Sequence, residues 1–212
     1  KAKDTPAFIA NRIGVFSIMA IFKMMVKHGL SIEAIDSVTG PVSGRPKSAT
    51  FRTSDLVGLD TLVKVANGVG QNCPADEMKE WFTIPSFLEK MLENNWLGDK
   101  TGQGFYKKGK DADGNTVIES LNLTTLEYSA QDKPRFHSIG KARGANRLSS
   151  KLGILYSGSD PAADFYHDII TAIAAYSANR IPEIADDLYQ IDDALRAGFG
   201  WEVGPFETWD LI

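Results

Sequence analysis

The sequence is poor in the residues that build disulfides, metal clusters and basic surfaces. It has one cysteine, Cys73, and three histidines among 212 residues. A single cysteine forms neither an internal disulfide nor a cysteine-based zinc cluster, which indicates a reducing compartment, and we expect the cytoplasm. The formal net charge is -4. This balance argues against a nucleic-acid-binding domain, because such domains carry a basic face.

Long apolar runs and a start signal are also missing. The most apolar stretch, residues 13–26, is interrupted by Lys23 and falls short of the roughly 20 residues that a membrane-spanning helix needs. We therefore predict a buried or interface helix there and no membrane span. The chain begins at Lys1, without an initiator methionine or an apolar signal segment. We interpret it as a fragment of a longer protein.

Helical periodicity dominates what is present. Apolar residues recur at three- and four-residue steps between Phe8 and Val26, and Gly29 marks the expected end of this helix. Ser31 predicts the N-cap of a short helix that ends near Gly40. Further helices are predicted over residues 53–68, with Thr53 or Ser54 as the cap, and over residues 85–95 and 160–188.

One stretch has the residue pattern of strands and turns and not of a helix. Phe105–Lys107 and Thr116–Ile118 flank the turn-forming residues Asp111–Asn115, which predicts a small β-hairpin. Residues 122–157 are polar, and their weak pattern predicts no regular element.

Two parts of the chain resemble each other. Ile35-Asp36 recurs as Ile191-Asp192, and the segment at 51–57 recurs at 206–212 with nearly the same spacing. Duplicated helical units pack together to bury faces that neither covers alone. The sequence thus predicts an all-α fold of two related units with an inserted hairpin: 1–109 is the first unit, 110–157 a hairpin and irregular connector, and 158–212 a degenerate second unit.

The tripeptide Asn-Arg-Ile occurs at 11–13 and again at 179–181. This match is out of register with the repeat, so no role is transferred from Asn11 to Asn179.

The residues themselves offer little chemistry. The three histidines lie far apart in sequence, and none belongs to a recognisable triad or metal motif. Asn11 stands out as a polar residue near the start of an apolar helix. It is interpreted either as a cap or satisfied buried amide, or as a hydrogen-bonding group aimed at a ligand or partner side chain. Spacing alone does not choose between them.

Three segments resemble one enzyme family, in the right order. Residues 4–13 (DTPAFIANRI) resemble the Asp-x-Pro-Gly-Phe-x-x-Asn-Arg segment of 3-hydroxyacyl-CoA dehydrogenases, with Ala7 in place of Gly. Residues 56–61 (LVGLDT) and 100–106 (KTGQGFY) are similar to two further signatures of its C-terminal domain. Residues 201–210 (WEVGPFETWD) are similar to the second repeat of the long, multidomain members of β-oxidation.

The resemblance implies NAD-dependent oxidation of the 3-hydroxyl of a fatty acyl-CoA, on a helical scaffold like the C-terminal domain of 6-phosphogluconate dehydrogenase. It implies that NAD and the catalytic His and Glu belong to a Rossmann domain absent from this chain, with 3-hydroxyacyl-CoA held between the domains. Asn11 takes the catalytic and substrate-binding position, and Lys47 is a candidate for a CoA phosphate, with a solvated surface lysine as its alternative. A homodimer is possible.

A rival hypothesis is a non-catalytic interaction or dimerisation module built on the same scaffold. A related β-hydroxyacid or sugar-acid dehydrogenase domain is a third reading, which the match at residues 100–106 disfavours.

Overall fold

The computed structural model describes residues 2–212; Lys1, with which the predicted first unit begins, lies outside the described residues. The first helices are α1 (Ala10–His28), α2 (Ile32–Val38), α3 (Phe51–Val57), α4 (Leu59–Asn72) and α5 (Ser86–Glu93). Three strands follow, β1 (Tyr106–Lys110), β2 (Thr116–Leu121) and β3 (Tyr128–Ala130). The remaining helices are α6 (His137–Arg143), α7 (Leu148–Tyr156), α8 (Pro161–Asn179), α9 (Leu188–Phe199) and α10 (Pro205–Asp210). The predicted helical class is confirmed.

Helix α1 is the centre of the core. Every residue from Arg12 to Phe22 is buried, because α1 packs against α4, α8 and α9. The helix ends where the sequence predicts, since Gly29 adopts the left-handed conformation with φ 63°. Helices α1 and α8 are 19 residues long each and pack against each other, one from each of the two similar parts of the chain.

The repeated Ile-Asp pair has the same task in both places. Asp36 accepts hydrogen bonds from the backbone N–H groups of Thr50 (3.0 Å) and Phe51 (2.8 Å) at the start of α3. Asp192 accepts them from Phe206 (3.0 Å) and Glu207 (3.2 Å) at the start of α10. Each carboxylate thus satisfies free N–H groups in the first turn of a helix. The equivalence supports the predicted duplication.

The predicted start of α3 was wrong. The helix begins at Phe51 rather than after a cap at Thr53 or Ser54, because its acceptor is the distant Asp36 instead of a local hydroxyl. The helix predicted over 53–68 is two helices broken at Gly58. The helix predicted over 160–188 ends at Asn179, shortly before Pro182, and α9 starts separately at Leu188.

The predicted hairpin is confirmed as β1 and β2, which pair antiparallel. A third strand, β3, pairs with β2 and was not predicted. The sheet is tied to α3 by Asp55, whose carboxylate accepts the N–H groups of Phe105 (2.8 Å) and Tyr106 (3.0 Å). Burial raises the pKa of Asp55 to about 6, although these two N–H donors oppose the effect.

The stretch at 122–157 was predicted to be irregular, yet it also contains α6 and α7. Helix α7 buries only Leu152 and Leu155, so its sequence shows too few apolar positions to reveal a helical period. Both helices gain their stability by packing against each other and against α8. None of the helices within residues 2–212 combines the length and apolarity needed to cross a bilayer.

Candidate functional site

Asn11 lies in the first turn of α1 with its side chain exposed. The position before the helix is Ile9, and no side chain caps this end. Among residues 2–212, the hydrogen bonds of the structure do not involve the Asn11 amide. Within the described residues, the side chain is therefore neither a helix cap nor a buried amide with partners, and its donor and acceptor are accessible.

The next residue, Arg12, is anchored in the opposite direction. Its side chain is fully buried, with Nε donating to the Tyr176 hydroxyl at 2.7 Å and Nη2 donating to Asp76 Oδ2 at 2.7 Å. The same Nη2 lies 3.1 Å from Glu183 Oε1, and Nη1 lies 2.8 Å from Cys73 Sγ. The guanidinium thus joins α1 to the end of α4 and to the second unit.

A second arginine meets the same carboxylate. Arg180 Nη1 lies 3.3 Å from Asp76 Oδ2 and 2.8 Å from Glu183 Oε2, and its Nη2 pairs with Glu77. The repeated Asn-Arg-Ile tripeptide was rightly separated from the repeat, yet its two arginines converge on Asp76. We call Arg12, Asp76, Tyr176, Arg180 and Glu183 the ion cluster. The first four are buried, whereas 39% of the Glu183 side chain is exposed.

Arg12 and Asp76 stabilise each other in their ionised forms. Burial alone lowers the pKa of Arg12, but the hydrogen bonds that it donates to Tyr176 and Asp76 reverse this and leave the pKa above its ordinary value. Burial alone raises the pKa of Asp76, but the Met78 N–H, Tyr176 and Arg12 bring it below its ordinary value. Because the Arg12 side chain is anchored by these contacts, we infer that the backbone of the first turn of α1, which carries Asn11, is held in place.

Sequence reasoning missed this cluster, although a signal was present. Arg12 is a permanent charge inside an apolar helix, and a buried arginine requires a buried carboxylate nearby. The identity of that carboxylate, Asp76, depends on how α4 folds back on α1 and is not visible in the sequence.

A narrow slot opens one turn along α1 from Asn11. It has a volume of about 30 Å³ and separates α1 from the segment at 45–53 and from the second unit. Its lining is mixed. The apolar residues are Gly14, Ile18, Ile21, Pro46, Ala49, Phe199 and Trp201, and the polar residues are Ser17, Arg45, Thr50 and Thr53. Arg45 also borders the slot, with its guanidinium 4.0 Å from the centre of the Trp201 ring, and burial lowers the pKa of Arg45 to about 10.

Lys47 is exposed at the edge of a separate groove of about 560 Å³. Arg52, Lys107 and Lys108 also line this groove, together with Asp36 and Asp99. Arg52 is already paired with Asp99. The structure does not bring Lys47 into one site with Asn11. The slot lies between them, since Gly14 is one turn from Asn11 and Pro46 adjoins Lys47.

The histidines lie away from this region. His28 Nε2 is 3.0 Å and His167 Nδ1 is 3.6 Å from the carboxylate of Asp168. His28 ends α1, which places it about 25 Å along the helix from Asn11. Over residues 2–212, the structure has no group of three or more His, Cys, Asp or Glu side chains suited to a metal ion.

The first half of the chain matches the model of a protein family. Residues 8–108 match the sequence model of "3-hydroxyacyl-CoA dehydrogenase, C-terminal domain". The whole chain is 47% identical to a "Probable 3-hydroxyacyl-CoA dehydrogenase" of Bacillus subtilis, of which it covers 26%. It is 28% identical to a "Putative fatty acid oxidation complex trifunctional enzyme" of Rickettsia prowazekii, of which it covers 29%. The chain therefore spans between a quarter and a third of these relatives.

A solved structure supports the fold. The crystal structure of 3-hydroxybutyryl-CoA dehydrogenase from Escherichia coli K12 superposes with a TM-score of 0.63 at 17% identity. The match covers 96% of this chain and 52% of that one. At this identity the likeness concerns the fold alone, and it extends over both predicted units.

Proposed function

Because residues 8–108 belong to the family of 3-hydroxyacyl-CoA dehydrogenase C-terminal domains, we propose that the chain forms one wall of an acyl-CoA cleft. The enzyme is an NAD-dependent L-3-hydroxyacyl-CoA dehydrogenase of fatty acid β-oxidation, and it acts in the cytoplasm. Its catalytic His and Glu lie in another domain of the complete protein. The chain alone has no dehydrogenase activity.

One observation carries this proposal. Asn11 is exposed in the first turn of α1, and no hydrogen bond among residues 2–212 involves its amide. The next residue, Arg12, is anchored to the buried residues Asp76 and Tyr176. A buried ion pair costs free energy to form, because both charges leave water. Its presence beside Asn11 is consistent with a residue whose position must be fixed. In the proposed cleft, the Asn11 amide hydrogen-bonds the 3-oxygen of the substrate or the catalytic His of the neighbouring domain.

The dinucleotide does not fit this chain. NAD is bound at the carboxyl ends of parallel strands linked by helices, whereas the sheet described within residues 2–212 is small and antiparallel. Gly68 and Gly70 have the spacing of the first two glycines of a dinucleotide-binding turn, but they lie inside α4 and do not follow a strand. In the proposal, NAD and the proton-accepting group both belong to the other domain, and this chain supplies Asn11 and the cleft wall.

The experiment compares the complete protein with the 212-residue chain. We expect the complete protein to produce NADH from NAD and 3-hydroxyacyl-CoA, while the purified chain, verified as helical by circular dichroism, produces none. NADH formation by the chain alone would show that the reactive groups are here after all. A complete protein that oxidises no 3-hydroxyacyl-CoA would favour the rival hypothesis of a non-catalytic interaction module.

A further inference from the structure

We propose that Phe199, from the second unit, limits the length of the acyl chain that the cleft accepts. The inference rests on the proposed function, because it assigns a substrate preference to that same cleft. It starts from the slot beside Asn11, to which the proposed function assigns no role.

Phe199 lies directly on the backbone of α1. A Cβ atom added to Gly14 would lie 2.0 Å from Cζ of the Phe199 ring, which is an impossible distance. Gly14 is one helical turn beyond Asn11, so the ring sits about 5 Å along the helix from the residue proposed to contact the 3-oxygen. Only the absence of a side chain at Gly14 lets the second unit approach α1 this closely.

The slot continues the face of α1 that carries Asn11. Asn11, Gly14, Ile18 and Ile21 follow one another at three- and four-residue steps, so they lie on one side of the helix. From Gly14 to Ile21 the slot runs about 10 Å along the axis. An acyl chain that leaves the reacting carbon beside Asn11 and follows this face reaches the Phe199 ring after a few methylene groups.

The space beside the ring is partly apolar and almost filled. Phe199, Ile18, Ile21, Ala49 and Trp201 are the apolar part of its lining. The hydroxyl groups of Ser17, Thr50 and Thr53 also line it, and each is hydrogen-bonded within the chain. The guanidinium of Arg45 lies over the Trp201 ring, and this cation–π contact stabilises its charge. The remaining volume of about 30 Å³ is that of a single water molecule. Removal of the Phe199 ring would enlarge this slot by the volume of the ring.

The test uses the complete protein and straight 3-hydroxyacyl-CoA substrates of short, medium and long chain. We expect Phe199→Ala to raise the ratio of kcat/KM for the long substrate to that for the short one by about tenfold or more. Phe199→Leu, which preserves more of the packing, shifts the ratio in the same direction by a smaller factor. Phe206→Ala is the matched control, because Phe206 is likewise half-buried in the second unit but does not line the slot.

The outcomes distinguish a failure of this inference from a failure of the proposed function. If both Phe199 variants change kcat/KM by the same factor at every chain length, Phe199 only packs the two units together and the inference is wrong. If the unmodified complete protein turns over none of the substrates, the proposed function fails and takes this inference with it. A shift of equal size in Phe206→Ala would also overturn the assignment, since the effect would then not depend on the slot.

Discussion

Replacement of Arg12 by alanine is expected to lower the free energy of unfolding by about 3 to 5 kcal/mol. The substitution leaves Asp76 buried with one fewer cation and the Tyr176 hydroxyl with one fewer donor, while both side chains remain inaccessible to water. Arg180 still lies near Asp76, at 3.3 Å, but its geometry is weaker than the 2.7 Å contact that is lost. Urea unfolding followed by circular dichroism measures the change.

Arg52→Ala provides the matched control for this effect. Arg52 also pairs with a carboxylate, Asp99, but both side chains are about two-fifths exposed (42% and 41%). Exposed pairs contribute at most about 1 kcal/mol, because water solvates the separated charges well. If Arg12→Ala proved no more destabilising than Arg52→Ala, the cluster would not anchor α1. Arg12 would then not hold the helix turn that carries Asn11.

Replacement of Asn11 by alanine is expected to lower kcat of the complete enzyme about a hundredfold, the usual loss when one donor to a reacting oxygen is removed. Thermal stability should stay nearly unchanged, because the exposed Asn11 side chain makes no hydrogen bond among residues 2–212. Alanine also has a higher helix propensity than asparagine, so the helix itself loses nothing. Steady-state kinetics and a thermal melt on the same preparation measure both effects.

Asn67→Ala is the control for Asn11→Ala. Asn67 is an exposed asparagine within α4, so the same chemical change occurs in the same kind of secondary structure. It should alter neither kcat nor the melting temperature. A large loss of stability in Asn11→Ala with normal turnover would instead indicate a structural asparagine, the alternative that spacing alone left open.

Local signals in the sequence were sufficient where the interaction partners are close along the chain. The end of α1 at Gly29 and the Ser31 cap each depend on residues within one turn, and the structure has both. The duplicated Ile-Asp pair was visible as a pattern, but its purpose was not. Asp36 and Asp192 cap helices that begin more than a dozen residues later, so only the folded chain reveals the contact.

The candidate site divides in the same way. Asn11 was assigned a role because its neighbours resemble a family segment. The adjacent Arg12 was assigned none. The partners of Arg12 come from the segment after α4, from α8 and from the segment after α8. The approach of Phe199 to Gly14 depends on how the second unit packs on α1. Such contacts between distant segments follow from packing that no local pattern encodes.

The most direct test of the central claim is hydrogen exchange on the complete protein with and without a 3-ketoacyl-CoA. If this chain is a wall of the cleft, ligand binding should slow exchange in the first turns of α1 and in the segment at 45–53, and leave the hairpin turn at 111–115 unchanged. Protection confined to the rest of the protein, with none in α1, would contradict the account, because the acyl-CoA would then bind without touching these helices.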